Sequence, residues 1–163
     1  MTLRLILMRH AKSDWSGDLT DHDRSLNARG RASAEALGNW LREKRITPGE
    51  ILCSSARRTV ETLERLNLNG GHTNLSDVLY LAEAETLLHA IRKGVSETQL
   101  LLAHNPGIGE LANHILDRPV KHPRFNAYPT GATLIATFDS GTWEEVRPGS
   151  GPVEHFTVPR ELV

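Results

Sequence analysis

Among 163 residues the chain has one cysteine, Cys53. A single thiol allows no disulfide within the chain and no thiolate zinc cluster, so a reducing cytoplasm is the expected setting. Net charge is also scarce, with 19 Lys and Arg against 20 Asp and Glu, a formal balance of -1. No overall basic field exists to hold nucleic acid or an anionic membrane, neither is expected as a partner, and any anion binding must be local. Long apolar runs are missing too. Leu3 to Met8 is too short for a signal-peptide core and runs straight into Arg9, His10 and Lys12, so the chain is expected to be soluble and unprocessed. It also lacks repeats, low-complexity tracts and Pro/Ser-rich linkers, which predicts one domain over residues 1–163.

What is present alternates. "LRLILM" (3–8) reads as a buried strand, and "NARGRASAEALGNWLREK" (27–44) as a helix with Ala32, Ala36, Leu37, Trp40 and Leu41 on one face and Asn27 as its cap. "EILCS" (50–54) reads as a second strand, followed by a helix near 56–67 with Val60, Leu63 and Leu66 aligned. "AETLLHAIRKG" (84–94) predicts a helix stopped by Gly94, "TQLLLA" (98–103) a strand, and 107–117 a helix with Ile108, Leu111, Ala112 and Ile115 inward. In "ATLIATFDSGTWEEVRP" (132–148), two strands flank Ser140-Gly141, which predicts a hairpin. The fold class is therefore α/β: a three-layer sandwich with a mostly parallel central sheet, helices on both faces and a C-terminal hairpin at the edge.

In such sheets the ligand crevice lies beyond the carboxyl ends of the strands, where loops and helix N-termini gather. The first strand delivers Arg9 and His10 there. The second delivers Ser54 and, one helical turn on, Arg58; the strand ending at Ala103 delivers His104 and Asn105. Guanidinium forks match phosphate oxygens and stay charged at physiological pH, so arginines facing imidazoles point to a phosphoryl site. Asn105-Pro106 also suits a helix start. His22, His72, His89, His114, His122 and His155 are scattered without metal-ligand spacing and read as surface or packing residues.

With "LMRHAKSDW", "HDRSLNARG", "SSARRTVET" and "LLLAHNPG" in view, the chain resembles the histidine phosphatase superfamily, of phosphoglycerate mutase-like fold, and within it the small SixA-type phosphohistidine phosphatases. The mutases usually show Arg-His-Gly; Ala11 stands in place of that glycine, as is common in the SixA-like branch, and points away from the mutases. The resemblance implies that His10 is the nucleophile that becomes phosphorylated and that Arg9, Arg58 and His104 form the phosphate pocket. Its serine, arginine and threonine at intervals of four match Ser54, Arg58 and Thr62, which selects Arg58 over Arg57. Ser54 and Asn105 are carried as further substrate-binding positions, and Arg24 as a pocket-rim residue.

The general acid stays open between Asp21, Glu83, Glu85 and solvent. Asp21 corresponds best to the acid suggested for SixA-like proteins. No metal or cofactor is called for. The implied partner is a phosphohistidine-bearing protein, such as a phosphotransfer domain or phosphocarrier; the alternative is a small-molecule phosphomonoesterase of the same superfamily.

Overall fold

The structure, a computed structural model, describes residues 2–163. Its strands and helices run β1 (Thr2–Arg9), α1 (Ala28–Glu43), β2 (Glu50–Ser54), α2 (Arg57–Leu66), β3 (His72–Ser76), α3 (Ala84–Ile91), β4 (Thr98–Ala103), α4 (Gly107–Ile115), β5 (Thr133–Asp139) and β6 (Val153–Thr157). One six-stranded sheet results, in the order β3-β2-β4-β1-β5-β6. The β3-β2, β2-β4 and β4-β1 pairs are parallel, and β1-β5 and β5-β6 antiparallel.

The apolar run of β1 is explained by burial on both faces. Leu3, Leu5 and Leu7 enter one core with Leu87 and Ile91 of α3 and Ile108, Leu111 and Ile115 of α4. Ile6 and Met8 enter the other, with Leu37 and Leu41 of α1 and Leu66 of α2. The period of two therefore divides one continuous hydrophobic segment between two cores. This is the three-layer α/β fold expected from the alternation.

The sequence reading needs correction in three places. Ala32 faces solvent, and α1 instead buries Ser33, Ala34, Leu37, Gly38 and Leu41. The reason is close backbone approach: a Cβ on Gly38 would lie 2.1 Å from the Leu66 carbonyl oxygen, so the smallest residues mark the contact face. Strand β3 went unpredicted because its side chains are exposed or half-buried and backbone pairing with β2 holds it at the edge. The hairpin forms, but its second strand is Val153–Thr157 and not the segment after Gly141. Trp143, 1% exposed, leaves the sheet to enter the core, and its indole Nε1 donates to the Ser96 carbonyl at 2.6 Å. Val146 is buried behind it while its carbonyl accepts from Arg92.

Candidate active site

The ends of β1, β2 and β4 converge as the parallel sheet requires, and their first loop residues meet α2. His10 and His104, one following β1 and the other β4, lie with ring centroids 5.3 Å apart. Arg58 reaches them from the first turn of α2, and its Nε donates to His10 Nε2 at 3.3 Å. Arg9, His10, Arg24, Arg58, His104 and Asn105 all line one cavity of about 170 Å³.

His10 is held in one tautomer. Its Nδ1 lies 2.7 Å from the Ala11 carbonyl, which can only accept, so Nδ1 carries the proton and Nε2 keeps its lone pair. Burial, aided by His104, Arg9 and Arg58, lowers its pKa from 6.5 to about 3, so the ring is neutral at pH 7. His104 is lowered to about 3 as well, by burial and then by Arg58. Its Nε2 lies 2.7 Å from Ser54 Oγ, whose buried hydroxyl proton has no other acceptor among the described residues, so Ser54 donates to His104 Nε2. That leaves the proton of His104 on Nδ1, which is buried and has no partner among the described residues. Arg9 Nε is buried and unpartnered in the same way. Two unsatisfied donors beside a neutral imidazole lone pair form a seat for an oxyanion.

The surrounding framework is polar. Thr62 Oγ1 accepts from the Ala11 N–H at 3.0 Å and donates to the Arg58 carbonyl at 2.7 Å, tying the residue after His10 to α2. The Gly131 N–H donates to the Arg9 and His10 carbonyls, from a backbone at φ +76°. Tyr128 donates its hydroxyl to the Leu7 carbonyl at 2.6 Å, while its own carbonyl accepts from Arg9 and from Asn105 Nδ2. Asn105 also accepts from the Gly109 N–H, so it fastens the start of α4 although the helix begins after Pro106.

Two expected roles change. Ser54 is fully buried and does not line the cavity; it acts through His104. Asp21 joins the site as an acceptor. Its carboxylate receives Arg24 Nη2 and Arg58 Nη2, each at 3.0 Å, and the Tyr80 hydroxyl, while its backbone carbonyl receives Arg58 Nη1 at 2.7 Å. The Tyr80 bond, followed by those from Arg24 and Arg58, holds its carboxyl well below the usual carboxylate range. In the resting site Asp21 therefore has no proton to give.

Arg24 lies in the pocket wall, bonded to Ser13 Oγ at 2.7 Å and stacked 3.4 Å from the centre of the Trp15 ring. Arg57 points outward to Glu64, leaving Arg58 as the site arginine. Glu83 and Glu85 line a different cavity, between α3 and α4. His22, read as a packing residue, borders the site through Ser55 Oγ and the edge of Tyr80. Sequence reasoning missed Tyr80 and Tyr128. No spacing announces either, since each acts through a hydrogen bond to a residue distant in sequence.

Residues 5–79 match the family model described as histidine phosphatase superfamily (branch 1). An uncharacterised protein of Mycobacterium tuberculosis is 32% identical over 160 residues, covering 94% of this chain and all of that protein. The chain belongs to the histidine phosphatase superfamily. Among solved structures, a candidate phosphohistidine phosphatase SixA from Nakamurella multipartitia superposes with TM-score 0.85 at 23% identity, covering 98% of this chain and 97% of that one. A protein histidine phosphatase SixA solved with tungstate gives TM-score 0.76 at 21% identity over 99% and 100% of the two chains. Family membership makes the protein a phosphatase of this superfamily, with a fold like that of the SixA structures.

Proposed function

We propose that the protein hydrolyses phosphohistidine on a protein substrate through a phosphorylated His10. One observation carries this reading: among the described residues no carboxyl lines the 170 Å³ phosphoryl cavity, and Asp21, the carboxylate bonded to two of its lining arginines, is committed to them and to a tyrosine. An alkoxide leaving group needs a proton donor placed for it. The imidazole of phosphohistidine leaves readily once water has protonated it, so a site without a carboxylic acid suits a phosphoramidate. The tungstate held by the SixA protein of similar fold is an oxyanion of the kind this pocket would take.

His10 Nε2 forms a bond to phosphorus as the P–N bond of the substrate breaks, with a solvent proton going to the departing imidazole. Arg9, Arg58 and His104 Nδ1–H meet the equatorial oxygens, where charge collects in the transition state. Arg58 gives up its 3.3 Å bond to His10 for bonds to the phosphoryl group as that group enters, which frees the Nε2 lone pair for the attack. In the second step water forms the P–O bond as the His10 Nε2–P bond breaks, Nε2 regains its lone pair, and the proton lost by the water leaves on the phosphate.

The test compares kcat/KM for a phosphohistidine peptide and an aryl phosphate, in wild type and in His10→Ala. Preference for the peptide, with turnover and labelling by a phosphoryl donor both lost in the variant, supports the reading. Preference for the aryl phosphate would replace it with the phosphomonoesterase alternative.

A further inference from the structure

A second cavity, of about 490 Å³, adjoins the phosphoryl pocket, and Arg9, Lys12 and Thr130 wall both. Arg29, Arg124 and Arg160 complete five cations around it, and no acidic side chain lines it. Several arginines elsewhere are neutralised: Arg4 meets Glu154, Arg31 meets Glu61, Arg57 meets Glu64 and Arg65 meets Glu35, while Arg42 and Arg92 are spent on carbonyl oxygens. Among the described residues, the side chains of Lys12, Arg29, Arg124 and Arg160 meet no carboxylate. Glu161, next to Arg160, is turned to His122, Thr157 and Val158. A chain of net charge -1 thus gathers uncompensated positive charge in one groove, beside its nucleophile.

Resting on the phosphohistidine reading, we infer that this groove docks acidic residues that neighbour the phosphorylated histidine of the protein substrate. The four cations are exposed and solvated, unlike the buried donors of the phosphoryl seat. Solvated side chains around an open groove suit several carboxylates spread over a surface, which they attract at a distance; a compact second phosphate would call for converging buried donors. The rest of the pocket lining supports a protein partner. Trp15 and Leu81 line the phosphoryl pocket but not the groove, and are 72% and 52% exposed, so apolar surface borders the same pocket as the cations. Apolar anchors bordered by charge are the anatomy of a protein interface.

The test uses three phosphohistidine peptides identical except for Asp/Glu, Ser/Gln or Lys flanks, with phosphoramidate itself as a small substrate. Wild type is expected to favour the acidic peptide over the neutral one by about tenfold in kcat/KM, through KM, with the advantage shrinking as salt rises. The triple variant Arg29→Glu, Arg124→Glu, Arg160→Glu should lose or invert that order while hydrolysing phosphoramidate at the wild-type rate. The triple Gln variant should flatten it, guarding against a charge-reversal artefact in folding. Equal kcat/KM on all three peptides, or an acidic preference that survives both variants, overturns the docking inference and leaves the phosphohistidine reading standing. No turnover of any peptide overturns both. Competition by an organic diphosphate that disappears in the triple variants, without any acidic-peptide preference, would reassign the groove to a second phosphate.

Discussion

At the scale of single residues the site separates groups that would touch the phosphoryl group from groups that hold them in place. Asp21 decides which class the missing acid belongs to, because one carboxylate orders Arg24, Arg58 and Tyr80 together. A positioning carboxylate should matter equally for every leaving group, since every substrate presents the same phosphoryl oxygens to Arg58. Asp21→Asn is therefore expected to lower kcat/KM by about ten- to a hundredfold for phosphohistidine peptide and aryl phosphate alike, their ratio unchanged. A selective loss on the aryl phosphate would show instead that the carboxyl delivers a proton during turnover. Tyr80→Phe is the companion measurement. It removes one donor from Asp21 without changing charge, so its loss should be smaller and equally indifferent to the leaving group.

At the scale of elements, α1 and α2 carry the alignment of the site. The buried face of α2 is mostly polar, with Arg58, Thr59, Glu61 and Thr62 inward, and the helix is held against α1 where Gly38 meets Leu66. Gly38→Ala would drive a methyl group into a carbonyl oxygen and part the two helices. The expected result is a loss of about 1–3 kcal/mol in urea unfolding, with a fall in kcat as Arg58 shifts; retained stability would mean that the contact yields freely. The same helices show what could be read beforehand. β1, β2 and β4 were legible because burial on both faces leaves a mainly apolar run, and Arg9, His10, Arg58 and His104 followed from where those runs end. The inward face of α2 was not, because its Val60 and Leu63 are only half-buried while charged and hydroxyl side chains point to the sheet. β3 has no apolar alternation, and Trp143 sits in a strand-like stretch whose side chains the core draws in as a turn.

At the scale of the whole molecule, the two site histidines bind stability to pH. Each is neutral in the folded protein down to about 3 and takes a proton near 6.5 when exposed. Between those values the unfolded chain holds the extra protons. Stability is thus intact above about pH 6.5 and falls as pH decreases towards 3, by about 1.4 kcal/mol per pH unit for each histidine. Urea unfolding from pH 7 to pH 4 should show this slope, and His104→Gln should lessen it; a flat profile would mean that the rings are protonated in the folded state. Asp21 adds a second loss at lower pH, because its carboxyl stays ionised below the range in which an unfolded aspartate protonates. The sheet order sets one more condition, on when the protein can work. β1 leads into His10 and lies between β4 and β5, so it is completed only by partners that follow it in the chain, beginning at Thr98 and Thr133. Until Thr133 to Asp139 has been synthesised, a strongly apolar strand has an unpaired edge open to other nascent chains, and Gly131 is not yet in place to hold the carbonyls of Arg9 and His10. Phosphatase activity is then a property that waits for β5, and arrest of translation before Asp139 leaves an aggregation-prone fragment that already contains His10.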